Sequence, residues 1–229
     1  METEKRCIAV AIDGPSGAGK SSIARDAARS LGFVYVDTGA IYRTVSLYIF
    51  DRGIDPKDTG AVIDALPEIH IALRYGEDGL QRMLLNGADV TERIRLPEIS
   101  LFTSAVSGIP EVRAFLMEMQ RGMAREQSVI MDGRDIGTVV LPEAQVKIFL
   151  TASPEDRARR RWNELRERGT EKGYEDILRE VQERDYNDTH RSAAPLRPAP
   201  DAVHLDTTGN TFEQSRQQVL EIIRRHMEE

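Results

Sequence analysis

Eight residues near the amino terminus, Gly14-Pro-Ser-Gly-Ala-Gly-Lys-Ser21, have the spacing G-x-x-x-x-G-K-S. They follow an apolar run, Cys7–Ile12, that reads as a buried strand, and they open Lys20–Leu31, which has the composition of a helix. In that strand-to-helix context the spacing is a phosphate-binding loop. Its glycines let consecutive backbone N–H groups converge on one concavity, and the helix N-terminus adds partial positive charge. Gly14, Pro15, Ser16, Gly17, Ala18, Gly19, Lys20, Ser21 and Ser22 are therefore expected to wrap a nucleotide's phosphates. Lys20 is placed to reach the β and γ phosphates, and the Ser21 hydroxyl to sit on Mg²⁺.

Three further sets bear on what receives the phosphate. Thr38 and Arg43, in Asp37-Thr-Gly-Ala-Ile-Tyr-Arg43, follow a second apolar run, Phe33–Val36. The hydroxyl and the guanidinium can face one anion, Arg43 in bidentate fashion. The same residues could instead be helix caps and a solvated charge. Asp132-Gly-Arg134-Asp135 closes another apolar run. There Asp132 is a partner for Ser21 or for water on Mg²⁺, Arg134 a phosphate donor and Asp135 an acceptor, the alternative being a turn with an internal ion pair. The third set is the run Arg157, Arg159, Arg160, Arg161, Arg166 and Arg168. Arg157, Arg160 and Arg161 stand at i, i+3 and i+4 and share a face. Arg157 and Arg161 are expected to close over a transferring phosphoryl group. The other arginines are read as surface charges, Asp156/Arg160 and Glu164/Arg168 forming i, i+4 pairs. Arg184, Asp188 and Arg191 share a helical face, and Ser104 and Arg113 flank a turn at Pro110. The four histidines lack metal-ligand spacing, and Trp162 is read as packing.

The elements that must position these residues alternate strand, loop and helix, which argues for parallel βαβ units with ligands beyond the strands' carboxyl ends. Between residues 66 and 95 the pattern changes to short strands joined by Asn86-Gly87, a hairpin signal. Pro97 and Pro110 open helices, and the parallel pattern returns at Ser128–Asp132 and Val146–Leu150. Ser153-Pro-Glu-Asp156 caps the arginine-dense helix, which runs through Arg168 to Gly169, and a further helix spans Tyr174 to about Asn187. A last strand, Ala202–Asp206, precedes a last helix capped at Thr211. A formal charge of −7 gives no field to attract nucleic acid or an anionic membrane. One cysteine permits no disulfide within the chain, which fits a reducing compartment. The charged start and the short apolar run after it do not read as a signal peptide or membrane span. The expectation is a cytoplasmic monomer with no nucleic-acid or membrane partner.

Taken in order, Gly14-Pro-Ser-Gly-Ala-Gly-Lys20, Asp37-Thr-Gly-Ala-Ile-Tyr-Arg43, Asp132-Gly-Arg-Asp-Ile-Gly-Thr-Val-Val-Leu-Pro142, Glu183-Arg-Asp185 and Arg191-Ser-Ala-Ala-Pro-Leu196 resemble the bacterial cytidylate kinases over nearly the whole chain. The resemblance implies a three-layer α/β P-loop fold, adenylate-kinase-like, with five parallel strands. Residues 1–65 and 96–229 would form the kinase core, 66–95 an antiparallel insert that binds the nucleoside monophosphate, and about 153–172 an arginine-rich lid. It implies phosphoryl transfer from ATP to CMP or dCMP with Mg²⁺. By motif position, Thr38, Arg43, Arg134 and Arg191 would hold the acceptor phosphate, Ser104, Arg113 and Asp135 the base, and Arg184 and Asp188 the sugar. Lys20, Arg134, Arg157, Arg161 and Arg191 would act on the transferring group. The base assignment has its own rationale, because a carboxylate accepts from cytosine's amino group and an arginine donates to its acceptors.

The nearest alternative is another small-molecule kinase of this fold. The Arg/Asp face at 184–191 and the insert argue for a nucleotide-sized acceptor. A guanine-nucleotide switch would want N-K-x-D, which the sequence does not contain. An ATP-regulated binding module would leave the arginines at 43, 134 and 191 without a purpose.

Overall fold

In chain order the elements are β1 (Ala9–Asp13), α1 (Lys20–Leu31), β2 (Val34–Asp37), α2 (Thr38–Asp51), α3 (Thr59–Ala65), β3 (Ile71–Tyr75), β4 (Gln81–Leu85), β5 (Ala88–Asp89), α4 (Pro97–Val106), α5 (Pro110–Glu126), β6 (Val129–Gly133), β7 (Val146–Thr151), α6 (Pro154–Glu167), α7 (Tyr174–His190), β8 (Val203–Asp206) and α8 (Phe212–Glu228). This computed structural model describes residues 7–77, 79–167 and 169–228. The charged residues 1–6 and Arg168, with its expected pairing to Glu164, lie outside the described residues. The chain forms two compact units, one running to Tyr35 and resuming at Glu126, the other Val36–Arg125.

A five-stranded sheet has the order β2-β6-β1-β7-β8, and the first unit holds β1, β6, β7, β8 and the start of β2. The ladders of β1 with β6 and β7, and of β7 with β8, are parallel. All five residues of β1 are buried, as a central strand covered on both faces requires. Val10, Ile12, Ile130, Ile148 and Leu150 meet Ile23, Ala24 and Ala27 of α1 and Val219 and Ile223 of α8. Small residues on α1 let it lie close to the sheet, and the alternating burial of β7 puts Val146, Ile148 and Leu150 in that same core. The register sets Ile12 beside Asp132 and Asp13 beside Gly133, so the carboxyl ends of β1 and β6 emerge together.

In the second unit β3, β4 and β5 form an antiparallel sheet. Asn86 and Gly87 both take positive φ, 49° and 86°, which is the two-residue turn that suits strand twist. Asp37 caps α2 by accepting from the Ala40 amide at 2.8 Å, so the helix begins at Thr38. Pro97 and Pro110 open α4 and α5 as expected.

Other boundaries differ for visible reasons. β1 begins after Cys7 and extends through Asp13, whose carboxylate finds amide partners in the interior. α7 runs three residues past Asn187. A single π-helical turn, Ile136–Val140, follows β6 in a stretch without periodic patterning.

Candidate active site

Gly14 leaves β1 at a φ of 151°, and a Cβ there would lie 1.9 Å from the Leu150 carbonyl oxygen. Only glycine lets the chain turn under β7 and begin the phosphate loop. Lys20, 5 % exposed, folds back so that Nζ donates to the Pro15 carbonyl at 2.7 Å. Burial, with the Arg134 charge adding to it, lowers the Lys20 ammonium to about 7, against the pull of Asp132, Asp13 and Asp188. Loss of hydration is the larger effect, since it disfavours the charged form whatever the neighbours. Gly19 in the left-handed region precedes α1, and Ser21 and Ser22 start its first turn.

The Ser21 hydroxyl donates to Asp132 Oδ2 at 2.7 Å, and the Tyr35 hydroxyl donates to Oδ1 at 2.8 Å. Asp132 thus sits where the sequence suggested, with Tyr35 fixing its rotamer, a role no sequence signal marked. A loop hydroxyl beside a carboxylate is a hard oxygen donor set, which fits Mg²⁺ completed by phosphate oxygens and water.

Two arginine–carboxylate pairs stand beyond β6. Arg134 Nε donates to Asp188 Oδ2 at 2.7 Å, and Arg191 Nη2 to Asp135 Oδ1 at 3.4 Å. Arg191 also donates from Nε to the Ala194 carbonyl at 2.7 Å. Burial alone would raise the Asp188 carboxyl, but the charges of Arg134, Arg184 and Arg191 outweigh it and hold it below the usual carboxylate value. The structure therefore brings Arg134, Asp135, Asp188 and Arg191 together, with Arg184 exposed on the same helix.

The α6 arginines divide differently from the sequence expectation. Arg157, expected on phosphate, is 2 % exposed and fully engaged within the protein. Its Nε donates to the Ala152 carbonyl, Nη1 to the Ser16 carbonyl and Asp185 Oδ1, and Nη2 to Asp185 Oδ2. Arg161 turns to Glu164 at 3.3 Å on its own helix. Arg160, expected as a surface charge, also reaches the loop: it donates to the carbonyls of Ala18 at 3.4 Å and Thr207 at 2.8 Å, besides its expected pairing with Asp156. The i, i+3, i+4 spacing fixes a shared face but not which member meets a neighbour.

In the Val36–Arg125 unit, Thr38 is buried in the first turn of α2. Asp37 fills the capping role weighed for this segment, while Arg43, weighed there as a solvated charge, pairs through Nη2 with Asp37 Oδ2 at 3.0 Å. Gln81 on β4 accepts from the Asp37 amide at 2.9 Å and ties that segment to the antiparallel sheet. Arg113 is 5 % exposed on the stripe of α5 that also buries Val112, Leu116 and Gln120. It donates to the Ser107 carbonyl at 3.2 Å, and its guanidinium lies 5.5 Å from the centre of the Tyr42 ring. Ser104 is exposed near the end of α4.

Sequence reasoning passed over Asp13, Tyr35, Gln81 and Asp185, and read Arg160 as a surface charge. Asp13 alone carried a signal, an acid ending an apolar strand directly before the loop. Among the described residues no group of three or more His, Cys, Asp or Glu side chains could hold a metal ion, and no helix is long and apolar enough to cross a membrane.

The fold resembles a gluconokinase from Sinorhizobium meliloti 1021, with a TM-score of 0.50, 12 % identity and 97 % of this chain and 94 % of that one covered. That likeness speaks to the fold alone. Sequence relatives speak to more. Cytidylate kinase of Carboxydothermus hydrogenoformans is 50 % identical over 216 residues, 94 % of this chain and 97 % of that one. Its counterpart in Caldicellulosiruptor bescii is 48 % identical over 215 residues, 94 % and 95 % of the two chains. The family model described as cytidylate kinase matches residues 10–225, a span that takes in the phosphate loop, both arginine–carboxylate pairs and the whole Val36–Arg125 unit. The chain belongs to the cytidylate kinase family.

Proposed function

We propose that the protein transfers the γ-phosphoryl group of ATP to CMP or dCMP, giving ADP and CDP or dCDP. The observation that carries this is local: Ser21 of the phosphate loop bonds Asp132 in β6, and Arg134, two residues on, pairs with Asp188, so the loop and the arginine–carboxylate pairs meet at one strand end. Donor-side and acceptor-side groups of the first unit therefore share one field. Mg²⁺, held through Ser21 and Asp132, would neutralise charge on the donor phosphates. Lys20 holds the β and γ phosphates. Arg134 and Arg191 hold the acceptor phosphate, Asp135 meets the base, and Arg184 and Asp188 meet the sugar. From the second unit, Thr38 and Arg43 are assigned to the acceptor phosphate, and Ser104 and Arg113 to the base. The acceptor oxygen is already anionic, so positioning and charge neutralisation suffice and no side chain need remove a proton. The site lies in a chain with no membrane-spanning helix among its described residues, in keeping with a cytoplasmic nucleotide enzyme.

Acceptor choice tests the reading. Uracil presents a carbonyl where cytosine presents an amine, so a carboxylate would face a lone pair. A buried mismatch of that kind costs about 1–3 kcal/mol, roughly 5- to 150-fold in kcat/KM. ADP formation measured separately with CMP, dCMP, UMP and AMP should favour the two cytidylates by at least about tenfold. UMP performing as well as CMP would remove the base assignment, and no ADP with any of the four would remove the kinase reading.

Nucleotide binding should also take up a proton. In the free protein Lys20 is largely neutral above about 7, and a bound triphosphate favours its charged form. The bound state then holds more protons than the free state, so affinity falls as pH rises above 7. Calorimetric titration with ATP at pH 8, in buffers of different ionisation enthalpy, should show uptake approaching one proton. At that pH the triphosphate is itself fully ionised and contributes nothing. Lys20→Met should abolish the uptake.

A further inference from the structure

Asp13 is the last residue of β1, and the phosphate loop starts at the next position. Its side chain reaches the turn that follows β6. Oδ1 accepts from the Ile136 amide at 2.8 Å and Oδ2 from the Gly137 amide at 2.7 Å, in a site where Asp13 is 4 % exposed. Those amides are the first two of the π-helical turn that follows β6, and they directly succeed Arg134 and Asp135. The same turn closes on Asp135 from the other side, because the amides of Val139 and Val140 donate to the Asp135 carbonyl at 2.9 and 3.2 Å. The Arg134–Asp135 backbone is thus held at one end by the β6 ladder, where Gly133 lies opposite Asp13, and at the other by a turn whose leading amides end on Asp13. A carboxylate is the side chain that can accept from two adjacent amides at once. It is buried here although Asp135 adds a second negative charge nearby and Lys20 a positive one.

We infer that Asp13 is a positioning residue for the acceptor side of the reaction: its carboxylate clamps the turn that presents Arg134 and Asp135, and so links acceptor geometry to the strand that launches the phosphate loop. The inference rests on the assignment of Arg134, Asp135 and Arg191 to the acceptor nucleotide.

Asp13→Asn offers one acceptor and one donor where two acceptors are needed, so one amide is left facing an N–H. An unsatisfied buried group corresponds to roughly a 5- to 150-fold effect, and the KM for CMP is expected to rise about tenfold or more. The dissociation constant for ATP, measured by direct binding, should move by a clearly smaller factor, because the loop's own hydrogen bonds are untouched and only the pull of the Asp13 charge on Lys20 is lost. A merely structural residue would not divide the two substrates in this way. Gly137→Ala is the second variant. Its methyl would stand 3.4 Å from Asp13 Oδ2 and 3.3 Å from the Lys147 stem, pressing on the clamp without altering β1. It should raise the KM for CMP in the same direction by a smaller factor, and it decides the matter if Asp13→Asn does not fold. An unchanged KM for CMP in the folded variants, or equal weakening for CMP and ATP, overturns the role of Asp13. Arg191→Ala separates the two layers. If it leaves the KM for CMP unchanged, the acceptor assignment fails and this inference with it. If it raises that KM while the Asp13 and Gly137 variants do not, Asp13 alone is wrongly placed.

Discussion

Lys20→Met is expected to lower kcat by about a hundred- to a thousandfold, the range seen when one preorganised donor is removed from developing charge. Methionine keeps the apolar stem, so the buried volume around α1 stays filled. The variant should fold, and its stability should show which way the wild-type lysine acts. The Lys20 ammonium is pushed down to about 7 by burial, so between about 7 and its ordinary value of 10.5 the unfolded chain binds more protons than the folded one. Stability from this group therefore rises with pH across that window, and below about 7 the burial penalty is fully present. Lys20→Met removes the penalty, and its gain in Tm over the wild type should be larger at pH 6 than at pH 9. Near-normal turnover in this variant would refute the role given to Lys20. A Tm difference independent of pH would refute the account of its burial.

Features readable from the sequence were those whose partners lie close in the chain. Asn86-Gly87 specified its own turn, Ser153 capped the Asp156 amide three residues on, and Lys20 and Ser21 were fixed by loop spacing. Asp132 was legible as a partner of Ser21 because a strand end in a parallel sheet has few neighbours. What stayed hidden was pairing over long separations. The two amides that Asp13 holds are more than a hundred residues away and belong to a turn without periodicity. Helical spacing placed Arg157, Arg160 and Arg161 on one side of α6. Which of them is buried against the loop depends on α7 packing alongside, and Asp185 stood in plain view beside Arg184 without a reason to choose it.

Asp185 is where the second large effect is expected. Its two oxygens receive Nη1 and Nη2 of Arg157, whose remaining contacts run to the carbonyls of Ala152 and Ser16. The Arg157 Cβ also lies 3.4 Å from where a Gly17 side chain would begin, so the arginine forms the floor of the phosphate loop. Asp185→Ala leaves a buried guanidinium without its counter-charge. Breaking such a pair costs about 3–5 kcal/mol, and because Asp185 is partly exposed the lower end, about 3 kcal/mol by urea unfolding, is expected. The KM for ATP should rise as well, because Ser16 loses a fixed donor. Asp185→Asn then separates two roles for Arg157. Were Arg157 chiefly a phosphate ligand, weakening its protein partner would free it, and ATP would bind as tightly as before or tighter. With Arg157 supporting the loop instead, ATP should bind more weakly in Asp185→Asn. The double variant Arg157→Met with Asp185→Leu should recover most of the lost stability, since apolar side chains of similar size often replace a buried ion pair without loss. It should not recover ATP affinity, because no donor then faces the Ser16 carbonyl. Recovery of both would mean that the pair serves the fold alone.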